Sequence, residues 1–131
     1  KVLQTLREIA APQASLICVF GCGGNRDKGK RPLMGAAASR LADSSIVTSD
    51  NPRNEEPRAI IEEITSGMEA NFHIEEDRAA AIDRAIRQAR PGDVVLIAGK
   101  GHEDYQEIKG VKFPFNDAEV AQRVLQEYQP C

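Results

Sequence analysis

The chain has 131 residues, enough for one domain with its own core and too few for two. Hydrophobic residues at 41% and charged residues at 28% describe a globular chain and argue against disorder; aromatics at 5% leave the core to aliphatic side chains. A net charge of −3 argues against general attraction to nucleic acid, and the longest apolar runs, Leu16–Phe20 and Val94–Ala98, are far short of the roughly twenty residues of a membrane helix.

Val2, Leu3, Leu6, Ile9 and Ala10 share one face and predict a helix over Val2 to Ala10. Lys1 opens directly into it with no cap and no secretory signal, which predicts a piece of a longer chain. Ser15 to Phe20 reads as a buried strand, and Gly21 to Arg31 as a glycine-rich loop. Pro32 suits the first position of a helix reaching about Ala42. Ser45 to Thr48 predicts a second strand, Ser49 to Glu56 a loop, and Pro57 a helix ending near Gly67. Asn71 to Ile74 suits a short strand. Asp77 caps a helix through Ala89, and Pro91-Gly92 turns the chain. Asp93 to Ala98 is a strand, Gly99 to Gln106 a loop, and Ile108 to Phe113 a further short strand. Asn116 or Asp117 caps a last helix to about Tyr128.

Strands that alternate with helices and read as continuous apolar runs imply parallel pairing with both faces covered. The expected class is α/β, a Rossmann-like three-layer sandwich with a mostly parallel sheet and an antiparallel edge strand. Ligands of such sheets bind at the carboxyl ends of the strands. The loops Gly21 to Arg31, Ser49 to Glu56 and Gly99 to Gln106 sit there and have the least ordinary composition in the chain. Cys18, Cys22 and Cys131 fit neither a disulfide framework nor a zinc site, so no metal site is expected and a reducing, cytoplasmic setting is.

Gly24 to Lys30 matches the phosphate-loop pattern G-x-x-x-x-G-K, but Arg31 and Pro32 follow where a magnesium-binding Ser or Thr belongs, so an autonomous ATPase loop is rejected. Gly21-Cys22-Gly23-Gly24 lacks the dinucleotide spacing, and Thr48 and Ser49 stand where a ribose-binding acid would end the second strand. What remains is cationic: Arg26, Lys28, Lys30 and Arg31 against Asp27. Asp50-Asn51-Pro52-Arg53 offers an acid, an amide and a guanidinium from one rigid bend, which also reads as an ordinary turn. Gly99-Lys100-Gly101-His102-Glu103 is a second polar bend.

Together GCGGNRDKGKRPLMG, TSDNPR and AGKGHEDYQ resemble the C-terminal domain of the Mur ligases, in the family's order and over nearly the whole chain. Asn25 departs from the family, where an acidic residue is common. The resemblance is closest to the diaminopimelate-adding branch. It implies residues 1–131 as the amino-acid-binding domain of a three-domain enzyme of peptidoglycan precursor synthesis. That enzyme uses ATP and magnesium to join meso-2,6-diaminopimelate to UDP-N-acetylmuramoyl-L-alanyl-D-glutamate. The absent N-terminal and central domains would hold the UDP-linked substrate and ATP, and this chain would carry no catalytic residue of its own. The resemblance assigns diaminopimelate contacts to Arg26, Asp50, Asn51, Pro52, Arg53, Gly99 and Glu103. Lys30 and Arg31 are candidate contacts to ATP or the acyl phosphate. Lysine lacks the second carboxylate of diaminopimelate and would leave Arg53 without an anion. The rival reading is a free-standing anion-binding module of the same fold without catalytic activity.

Overall fold

A computed structural model describes residues 2–9, 12–24, 29–98 and 103–128. In chain order these form α1 (Val2–Ile9), β1 (Leu16–Phe20), α2 (Lys30–Leu41), β2 (Ser44–Val47), α3 (Pro57–Thr65), β3 (Phe72–Ile74), α4 (Arg78–Gln88), β4 (Val94–Ile97), β5 (Tyr105–Ile108), β6 (Val111–Pro114) and α5 (Asp117–Glu127). Strands β3-β2-β1-β4 make one wholly parallel sheet in that order.

Side chains alternate across β1, and each set meets a different helical layer. Ile17 and Val19 pack with Ala81, Ile82 and Ala85 of α4 and Val120 and Val124 of α5. Cys18 and Phe20 pack with Ala38 of α2 and Ile60, Ile61 and Ile64 of α3, with Leu3 of α1 against them. All five residues of β1 are buried, which is why its sequence is an unbroken apolar run. The three-layer α/β sandwich expected from the alternation is present. No helix among the described residues is long and apolar enough to cross a membrane.

Two local readings are corrected. Helix α2 starts at Lys30, so Pro32 is its third residue; the first-turn N–H groups have no partner within a helix, and proline's missing one costs nothing there. The antiparallel strand is not an edge of the sheet. Tyr105 to Pro114 folds as a separate hairpin of β5 and β6. Lys109 (φ 51°) and Gly110 (φ 82°) turn it, both in the left-handed region that tight hairpins require. Lysine is an unusual residue there, so Ile108 to Phe113 reads as one strand.

Candidate functional site

The loops after β1 and β2 are joined backbone to backbone. The Gly24 amide donates to the Asn51 carbonyl at 2.7 Å. A Cβ on Gly24 would lie 1.8 Å from the Pro52 carbonyl oxygen, so the contact needs glycine. Arg53 Nη1 then donates to the Gly24 carbonyl at 3.0 Å.

Arg53 itself is held from the other side by the hairpin. Its amide donates to the Glu107 carbonyl at 2.9 Å, and the Lys109 amide donates to its carbonyl at 2.7 Å. Those bonds hold a φ of 54°, unusual for a residue with a side chain. Arg53 Nε faces the Glu107 carboxylate at 3.4 Å. Asn51 is only 2% exposed. Its Nδ2 donates to Glu103 Oε1 at 2.9 Å, and its Oδ1 accepts from the Glu107 amide at 2.9 Å. Asn51 therefore joins the segment after β4 to the tetrapeptide after β2. Asp50 and Pro52 are buried in the same bend. Burial pushes the nearby Cys22 thiol up to about 11; the Arg31 charge opposes this and the Asp50 charge adds to it.

Among the site residues expected from the sequence, Asp50, Asn51, Pro52, Arg53 and Glu103 gather at the carboxyl edge of the sheet. Arg26 and Gly99 lie outside the described residues. Lys30 is exposed at the start of α2. Arg31 is 1% exposed and turned inward, bonded to Glu55, Glu63 and the Gly23 carbonyl. The place of the phosphate-loop Ser or Thr is thus filled by a buried ion pair. No group of three or more His, Cys, Asp or Glu suited to a metal occurs among the described residues. The residues at hand do not fit a phosphate-loop magnesium site.

Several organising residues escape a reading of the sequence. Arg78, the first residue of α4, is 1% exposed. It grips Asp117 at 2.8 and 2.8 Å and donates to the Ser49 and Ala98 carbonyls at 3.0 and 3.1 Å. It thereby ties the ends of β2 and β4 to α5. Glu55, Glu63 and Glu107 are equally unmarked, because their partners lie far away in sequence. The one available signal is that Glu55 and Arg78 flank capping and turn residues. A cavity of about 420 Å³ borders the tetrapeptide, lined by Ser49, Pro52, Arg78, Gln106 and Ile108 among others.

An arginine, an amide and a carboxylate fixed within one bend suit a ligand that carries both charges. Comparison with known proteins gives that arrangement a context. Residues 1–101 match the family described as "Mur ligase, glutamate ligase domain". A UDP-N-acetylmuramoyl-L-alanyl-D-glutamate–2,6-diaminopimelate ligase of Chromobacterium violaceum is 59% identical over 126 residues, covering 95% of this chain and 26% of that protein. One of the same name from Aquifex aeolicus is 56% identical over 126 residues, with the same coverage. A solved structure of a ligase of this name superimposes with a TM-score of 0.88 at 44% identity, covering 98% of this chain and 27% of the other. The chain spans about a quarter of the length of the curated relatives it matches. With the family match covering residues 1–101, well over half of its length, the chain belongs to the Mur ligase family.

Proposed function

We propose that residues 1–131 are the amino-acid-binding C-terminal domain of an ATP-dependent ligase. The ligase joins meso-2,6-diaminopimelate to UDP-N-acetylmuramoyl-L-alanyl-D-glutamate in peptidoglycan precursor synthesis. The observation that carries this reading is the bond from Asn51 to Glu103 at 2.9 Å, which brings the segment after β4 to the bend that holds Arg53. Diaminopimelate has an ammonium and a carboxylate at each end. Arg53 suits its distal carboxylate, with two-point contact available to a guanidinium. Glu103 suits an ammonium, and Asn51 and the buried Asp50 and Pro52 set the shape of the bend. Arg26 and Gly99 are assigned to the same pocket by their places in the motifs. The names of the relatives support this choice of amino acid.

The other domains would hold ATP, magnesium and the UDP-linked substrate; ATP supplies the phosphoryl group that activates the substrate carboxylate. This domain contributes by presenting the attacking amine in the right place, a gain of several kcal/mol, roughly, where the geometry is good. Lys30, exposed at the first turn of α2, is a candidate cation for the activated carboxylate. Cytoplasmic location fits the free thiols of Cys18 and Cys22.

Arg53 variants in a full-length ligase carrying this domain test the reading. Arg53→Ala should lower kcat/KM for diaminopimelate by tens of fold or more, the equivalent of about 2–5 kcal/mol for a lost charge-assisted pair. Arg53→Lys should restore part of it. Arg53→Gly, which accepts the positive φ, should be as inactive as Arg53→Ala without its backbone strain. KM values for ATP and the UDP-linked substrate should hold. Near-normal use of diaminopimelate by Arg53→Ala would make Arg53 a turn element only.

A further inference from the structure

We propose that Glu107 is a specificity-determining counter-ion: it partly neutralises Arg53 and so moderates the preference for an amino acid with a second carboxylate. This rests on the reading of Arg53 given above.

Arg53 directs Nε to Glu107 at 3.4 Å, and Nη1 to the carbonyls of Gly24 at 3.0 Å and Asn51 at 3.4 Å. Nη2 makes no hydrogen bond among the described residues, which leaves that edge of the guanidinium for a ligand. Both partners of the ion pair are largely covered, with side chains 16% and 25% exposed. Lys112 stands directly across the hairpin from Glu107, but its ammonium lies over the Tyr105 ring at 4.6 Å. Arg53 is therefore the cation that Glu107 meets among the described residues.

Two consequences follow from charge. A ligand carboxylate arriving at Nη2 meets a pair whose net charge is near zero, and binds less tightly than it would to an uncompensated guanidinium. A ligand without that carboxylate leaves Arg53 still paired, so its rejection is milder than an unpaired arginine would impose. Arg53 has supports other than the Glu107 carboxylate. The Gly24 carbonyl holds Nη1, and the hairpin holds the backbone through the Glu107 main chain.

Glu107→Gln and Glu107→Ala in the full-length ligase test this. Both should lower KM for diaminopimelate, by roughly threefold to fivefold for an ion pair that still touches solvent. The gain should shrink with added salt. Use of lysine should fall, because its side-chain ammonium would face an uncompensated cation. A defect in folding or in loop placement would weaken both amino acids together, so movement in opposite directions is the signature. The gain should vanish in Arg53→Ala/Glu107→Gln. An unchanged or raised KM for diaminopimelate in both Glu107 variants overturns the proposal while leaving the Arg53 assignment standing. Normal use of diaminopimelate by Arg53→Ala overturns both.

Discussion

The Arg31 guanidinium grips the Glu55 carboxylate with two hydrogen bonds, at 3.1 and 2.9 Å. A third reaches Glu63 at 3.0 Å, and a fourth the Gly23 carbonyl at 2.9 Å. One side chain thus fastens the loop after β1 to the loop after β2 and to α3. The hydrogen bond to Glu55 is the main influence holding Arg31 above its ordinary value; burial works against it and Glu63 supports it. Removing the cation leaves two carboxylates facing each other in a mostly covered site. Arg31→Ala should therefore cost about 3–5 kcal/mol in urea unfolding. Arg31→Lys should recover only part, since an ammonium cannot make the fork. A cost below about 1 kcal/mol for Arg31→Ala would place this pair with ordinary surface bridges.

Gly24 and Pro52 form the tightest approach between two of the site loops. Gly24→Ala forces a methyl group against a carbonyl that cannot move without moving the tetrapeptide. We expect a loss of at least about 1–3 kcal/mol, as for overpacked cores, and weaker diaminopimelate use in the full-length enzyme. Thermal unfolding beside steady-state kinetics would report both. Unchanged stability would show that the two loops can separate freely.

Asp43 and Asp93 pin the start of β1. Asp43 Oδ2 accepts from the Leu16 amide at 2.7 Å, and Asp93 Oδ1 from the Ser15 amide at 2.9 Å. Burial pushes Asp43 up, but the Arg7 hydrogen bond, the Leu16 amide and the Arg7 charge together hold it below 3.8. The Arg90 and Ser15 amides hold Asp93 below the same value. A carboxylate depressed by folding stabilises the protein above its unfolded pKa, and that contribution is lost as pH falls through the folded value. The melting temperature should be flat above about pH 5 with respect to these groups and drop below about pH 4. Asp43→Asn should melt lower at neutral pH and show a shallower acid limb. A parallel acid limb would remove Asp43 from the account.

Burial holds two thiols protonated. Cys18 is pushed up to about 12 and Cys22 up to about 11. Cys22 is only half-buried, so access alone does not protect it. At pH 8 iodoacetamide should label Cys22 at least about a hundredfold more slowly than in the urea-unfolded chain, because the thiolate reacts and little is present. Peptide mass spectrometry over time would measure this. Labelling of Cys22 at the unfolded rate would contradict the raised value.

Much of the architecture is legible along the chain because the responsible forces are local. Asp77 accepts from the Ala79 amide at 3.0 Å, and Asn116 from the Glu119 amide at 3.0 Å, so both caps act where their residue types suggest. Strands β1 and β4 announce themselves as apolar runs, β1 because helices cover both of its faces. The polar, glycine-rich stretches mark the carboxyl edge, since only there does the chain leave the core after each strand.

The sequence alone thus determined the α/β alternation, the helix starts at α4 and α5, and the polar loops that follow β1, β2 and β4. Tertiary structure decided where the charges go. Arg31 reads as one more cation in a basic loop, and becomes a buried clamp because the loop after β2 brings Glu55 beside it and α3 brings Glu63. Arg78 finds Asp117 across 39 positions, and Asn51 finds Glu103 across 52. The backbone bridge between Arg53 and Ile108 sets Glu107 beside Arg53. Periodicity and capping are set by neighbours a few residues apart, whereas the partner of a charged side chain is set by strand order and by which loops share an edge.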